Sequence, residues 1–303
     1  MKNKKLSIGG QAVVEGVMIR GPSKYVVAVR KGTKIASKKG NIPIKKYAFL
    51  KLPFVRGFVN LVDMMVIGVK SLIWSAEQSS GDEKIGKHEF AWTLLISVGF
   101  AVLLFVALPY FLTTLLGIAE EKRPLLFNLV DGAIRISLFL AYLLAISFMK
   151  DVKILFQYHG AEHKAIHCYE HGKELNAVNV KKFTTLHPRC GTSFLLIVFI
   201  VSIMVFSILP SIFLFYYKDF SNLNAWLRRG ILFPVRILLI PLIAGASYEI
   251  LKISDRHKSN LIFKMISMPG LALQKITTKE PNQKQMEVAI ASVKQLLSIE
   301  KQK

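Results

Sequence analysis

Cysteine is scarce in this 303-residue chain, and acids are outnumbered more than two to one by bases. The two cysteines, Cys168 and Cys190, exclude a disulfide-stapled secreted scaffold. An early apolar segment is missing as well: the N-terminus runs polar and basic, so no signal peptide is readable. Nineteen Asp and Glu against 41 Lys and Arg leave a formal net charge of +22. Nucleic-acid binders share that footprint, but no recognition motif accompanies it here. Charge of either sign is absent from 90–119 and 190–217, whereas residues 1–57 hold 14 Lys and Arg against one acid, Glu15. What fills the chain instead is apolar: 52% of its residues, with a mean hydropathy of +0.41. A soluble protein so composed would need one oversized core; a polytopic membrane protein puts such stretches in lipid. The chain reads as an α-helical polytopic membrane protein.

Four stretches are long enough to span, about 20 apolar residues being required. They are Phe90–Ala119, Leu125–Met149, Cys190–Tyr217 and Gly230–Ile250, the last with Pro234 and Pro241 as expected kinks. The connections 118–126 and 218–229 carry two and three Lys and Arg, against 14 in 1–57, seven in 150–190 and ten in 251–303. The positive-inside rule therefore puts both termini and the 150–190 loop in the cytoplasm, where basic loops also meet anionic lipid headgroups. Residues 58–76 are apolar too, but Asn60, Asp63, Lys70, Ser71, Glu77 and Gln78 share one narrow helical sector. That pattern predicts an amphipathic helix in the interface rather than a fifth span.

The expected organisation is a basic β-rich cytoplasmic unit (1–57), an interfacial helix and linker (58–89), a four-span domain (90–250) and a basic cytoplasmic segment (251–303). In the first unit, Tyr25–Arg30 and Lys34–Ser37 flank Gly32 as a hairpin. In the last, Pro281 opens an amphipathic helix with Met286, Ala289, Ile290, Val293, Leu296 and Leu297 on one face.

Chemistry concentrates in the 150–190 loop. Five of the seven histidines lie in 159–187, with both cysteines in the same neighbourhood. If 150–171 is helical, His159 and His163 stand one turn apart and can bind one divalent metal. His159, Glu162 and His163 reproduce the HxxEH spacing in which the glutamate acts as general base. His187 and Cys190 complete the expected ligand set, and His167 and Glu170 are further candidates. Glu15, the one acid of the N-terminal unit, is either a distant ligand or base, or a partner of the bases around it. Zinc suits His and Cys ligands best, with iron and manganese as alternatives. A closed His/Cys set would be structural and staple the second span to the third; a catalytic set would keep a position open for water.

Three charges fall inside spans, where they are costly and often functional. Asp131 and Arg135 are one turn apart and pair with each other by spacing; Arg236 must find Asp131 or Glu249, or line a polar cavity.

Five stretches carry a resemblance: GGQAVVEGVMIRGP (9–22), PFVRG (53–57), YHGAEHK (158–164), HPRCGT (187–192) and PGLALQKITTKEP (269–281). In them the chain resembles the YqhQ-like family of bacterial membrane proteins, a family of unknown function labelled as metal-dependent enzymes. The resemblance implies a multi-span protein of the bacterial cytoplasmic membrane and a metal; it brings no established catalytic residues. All five stretches fall on the cytoplasmic side of the expected topology, so they are expected to converge, with the β unit capping the histidine loop. Glu15, Arg20 and Arg56 would then approach the metal, and an anionic substrate or headgroup would be the guest.

The first functional expectation is a metal-dependent hydrolase acting at the membrane, on a lipid-linked phosphate or a peptide, with Glu162 as base. A second is a non-enzymatic scaffold or assembly factor whose metal is structural and whose basic surface meets a cytoplasmic protein or the ribosome. A third, less supported by a chain without repeats, is a small transporter using Asp131, Arg135 and Arg236.

Overall fold

Val and Ile crowd residues 13–29 so densely that both faces of any sheet they form must be covered. The computed structural model of the protein describes residues 5–43, 47–80, 86–118, 123–256 and 260–301. Ala119 at the end of the first expected span, most of the loop after it, and linker residues 81–85 lie outside these. A four-stranded antiparallel meander forms from β1 (Gly9–Val13), β2 (Gly16–Arg20), β3 (Lys24–Lys31) and β4 (Lys34–Asn41). The expected hairpin is β3–β4, and Gly32 takes the left-handed φ of +60° that its turn requires.

Alternation divides the sheet's side chains between two cores. Val17, Ile19, Val26 and Ala28 face one way, against α5 (Lys150–Glu170) and α10 (Gln283–Glu300). Val13, Met18, Val27 and Val29 face the other way, against Ile67, Met64 and Trp74 of α1 (Val55–Ser79). Asn282 and Gln285 close a capping box that starts α10, and Met286, Ala289, Ile290, Val293 and Leu296 of the expected face are buried. Ser292 Oγ donates to the Val26 carbonyl at 3.1 Å, so the last helix is fastened to the third strand.

The remaining helices are α2 (Lys87–Val102), continued through a π-helical turn (Leu103–Ala107) into α3 (Leu108–Leu115), then α4 (Pro124–Ile146), α6 (Ala177–Lys181), α7 (Gly191–Tyr216), α8 (Ala225–Arg256) and α9 (Leu261–Thr277). Among the described residues five helices, not four, are long and apolar enough to cross a bilayer, consistent with a multi-pass membrane protein. The extra one is α1, which the sequence reading had taken as interfacial because of its polar sector. That sector is matched by protein: Asp63 lies 3.8 Å from Arg20, Asn60 Nδ2 donates to the Tyr248 hydroxyl at 3.0 Å, and Ser75 Oγ accepts from the Val14 N–H at 3.1 Å. A polar stripe satisfied by neighbours reads, from sequence, like one meant for water.

Candidate metal centre

Helical spacing sets His159, His163 and His167 in a row along α5. Facing them is the 185–190 turn, which leads into α7 with Cys190 as N-cap. Gln274 of α9 holds this turn: its side chain accepts from the His187 N–H at 2.8 Å and donates to the His187 carbonyl at 2.8 Å. Close approach of α5 to the chain after α9 depends on Gly160, where a Cβ would run into the Lys279 carbonyl oxygen.

The tautomers follow from the partners. His159 Nδ1–H donates to the Thr277 carbonyl at 2.8 Å, and His163 Nδ1–H donates to the Thr185 carbonyl at 2.5 Å. A carbonyl only accepts, so both rings carry their proton on Nδ1 and present a bare Nε2. His159 Nε2 lies 3.2 Å from Cys190 Sγ, and the ligating atoms of His159, His163 and Cys190 all lie within 4.8 Å of one another. Burial pushes the His163 pKa below the ordinary imidazole value, keeping it neutral.

Glu162 completes the group. It is 3% exposed, its carboxylate accepts from the Gly10 N–H, and burial raises its pKa. Oε2 has no hydrogen-bond partner and lies 3.4 Å from His163 Nε2. Two bare imidazole nitrogens and a thiol sulfur thus converge, with an orphaned carboxylate oxygen 3.4 Å from one of the nitrogens. The donor set fits a divalent metal. Beside it is a cavity of about 300 Å³, walled by Gly9 and Gly10 of β1, by Leu155 and Phe156 of α5, and by Thr192 and Leu195 of α7.

His187 is drawn elsewhere. Its Nδ1 accepts from the Arg189 N–H at 3.2 Å, so its Nε2 carries the proton and points at Glu170 Oε2, 3.3 Å away. Arg189 pairs with the other Glu170 oxygen, and His167 Nε2–H donates to the Leu186 carbonyl at 2.8 Å. His167, Glu170 and His187 are near enough to one another to hold a metal, but their protons and charges are already matched. This second group works as a clamp fastening the turn to α5. Of the expected residues, then, His159, His163, Cys190 and Glu162 come together, and His167, Glu170 and His187 form the group beside them.

Glu15 is not in the cavity wall; its carboxylate accepts from the Tyr158 hydroxyl at 3.1 Å. Arg56 is engaged by Glu249 through a bidentate pair at 2.5 and 2.6 Å, while Arg20 reaches the neighbourhood of the site. Asp131 and Arg135 pair at 2.7 Å within α4, and Arg236 of α8 lies within electrostatic reach of Asp131. None of these three lines the cavity. Sequence reasoning missed Thr185, Gln274 and Thr277; the last two lie in the 269–281 stretch and could have been suspected from it.

His167 makes a pH prediction. Burial holds its pKa down to about 4, so it folds neutral, while in the unfolded chain it titrates near 6.5. Stability from this group is full above that unfolded value and is lost as pH falls toward 4, with His163 acting in the same direction. Thermal unfolding should move down between pH 7 and pH 5, and less so in His167→Gln.

Comparison with known proteins agrees with the resemblance. The model of the family described as "Protein of unknown function (DUF1385)" matches residues 52–299. The chain is 35% identical to the "Uncharacterized protein YqhQ" of Bacillus subtilis (strain 168) over 317 residues, covering 96% of this chain and 92% of that protein. No solved structure matches it. The chain belongs to the DUF1385 family, and is YqhQ-like along nearly its whole length.

Proposed function

We propose that this protein is a metal-dependent hydrolase of the bacterial cytoplasmic membrane, its metal held by His159, His163 and Cys190 and its general base Glu162. The observation that carries the reading is the convergence of two bare Nε2 atoms and a thiol, with an orphaned buried carboxylate 3.4 Å from one of the nitrogens, beside a cavity. Zinc suits two imidazoles and a thiolate, and a divalent metal there would act as a Lewis acid toward the scissile group. Thr277 and Thr185 hold both rings in the ligating tautomer. Glu162 Oε2 is free to take a proton from a water in the cavity, while the Gly10 N–H steadies the carboxylate.

The same reading gives a placement in the membrane. The sheet and α10 pack on each other, so the two ends of the chain share one side, and the basic surplus makes that side cytoplasmic. Of the five candidates, α1 is the one covered by the sheet, and its other face exposes Val62, Met65, Val66, Val69 and Leu72. Tyr47, Phe49 and Phe54 are exposed before and at its start.

Elemental analysis of untagged protein tests the metal. About one equivalent of zinc or another divalent metal per chain is expected in the wild type, and none in His159→Ala/His163→Ala. Wild-type protein without metal after purification under several conditions would overturn the reading. The scaffold alternative shares the metal, since His159, His163 and Cys190 also tie α5 to α7; a Glu162 variant separates the two.

A further inference from the structure

We infer that the substrate class of this centre is a membrane lipid with an anionic, phosphate-bearing headgroup, seated in a second cavity that shares a wall with the first. The reaction assigned to it rests on the hydrolase reading; the binding does not. This cavity has a volume of about 490 Å³, in the range of small-molecule sites. Ile8, Gly9, Gly10, Arg189 and Gly191 belong to the walls of both cavities, so the two adjoin.

The walls are amphipathic. At one end stand Arg20 of β2 and Arg189, with Gly191 in the first turn of the 26-residue α7 beside them. The acids that meet these guanidinium groups lie outside the lining: Asp63 at 3.8 Å from Arg20, and Glu170 against Arg189. Two guanidinium forks and a helix N-terminus suit the oxygens and multiple charge of a phosphate better than a single carboxylate. The other end is apolar, from Leu61 and Met64 of α1, Phe194 of α7 and Leu251 of α8. These three helices are among those long enough to cross a bilayer. The Asn60–Tyr248 hydrogen bond closes the seam between α1 and α8 at the cavity wall. A free phosphate would use only one half of this cavity. A lipid uses both, next to the cavity that Glu162 and Cys190 line.

Isothermal titration of the full chain in phosphatidylcholine nanodiscs tests this, using dihexanoyl phosphatidic acid, dihexanoylglycerol and glycerol 3-phosphate as probes. Each sample is also analysed for metal. Phosphatidate should bind at least about tenfold tighter than either fragment, and Arg20→Gln should weaken it by about tenfold or more. Leu61→Trp, filling the apolar half, should lose phosphatidate while keeping the weak glycerol 3-phosphate signal. Glycerol 3-phosphate binding as tightly as phosphatidate would mean a free phosphate site and overturn the inference. Equal binding of dihexanoylglycerol, or phosphatidate binding unchanged in both variants, would overturn it as well. Metal-free His159→Ala/His163→Ala protein that retains Arg20-dependent phosphatidate binding upholds the lipid site. A wild type that binds metal but no phosphatidate removes the lipid site and leaves the metal reading standing.

Discussion

Glu162→Gln is expected to keep the metal and lose at least about 10²-fold in hydrolysis of the bound phosphate lipid, the usual scale for a general base. The amide keeps the shape and an acceptor for the Gly10 N–H, but it cannot take a proton at the position of Oε2. Stability gives a second readout. Burial raises the folded pKa of Glu162, so the group's contribution is present below its unfolded pKa and is lost as pH rises. In metal-free protein, the glutamine variant should therefore unfold at a higher temperature than wild type at pH 7, with the advantage shrinking by pH 4. Calorimetry, metal analysis and phosphate release on one preparation decide the matter. Unchanged turnover with unchanged metal would favour the structural-metal alternative.

Gly160→Ala should destabilise the chain by about 2 kcal/mol, although the same change in an exposed helix gains about 1 kcal/mol. The reversal comes from the Lys279 carbonyl, which occupies the space a Cβ would need, and from the Lys279 N–H, which donates to the Phe156 carbonyl at 2.9 Å. Separating α5 from this segment also moves the Thr277 carbonyl away from His159. Metal content should fall with the unfolding midpoint; a variant as stable as wild type and fully loaded would show that this contact does not hold the centre.

Much of this was legible in the chain because the relevant signals are local. Apolar length marked α2–α3, α4, α7 and α8. Glycine between two β-rich runs marked the β3–β4 hairpin, and the i, i+4 spacing put His159 and His163 on one face. What could not be read was partnership across the fold. The polar sector of α1 looked destined for headgroups, because nothing in 58–76 says that Arg20, Val14 and Tyr248 will meet it. His187 stands with His167 and Glu170 rather than with His159, His163 and Cys190, a placement that depends on the backbone N–H of Arg189 and on Gln274, 87 positions away. The carbonyls of Thr185 and Thr277 are invisible in principle, since any residue could supply them.

The fastening of the last helix to the third strand also sets an order of events during synthesis. One face of the N-terminal sheet is closed by Val288, Ala289, Val293 and Leu296, which are made long after the strands. At 5–20 residues per second, the strands wait roughly 10–50 s for that cover while the membrane helices are being made. Through this interval Val17, Ile19, Val26 and Ala28 have α5 at best as a lid. The candidate metal centre, which needs strand β1 and the α9–α10 junction together, can form only once both have been made.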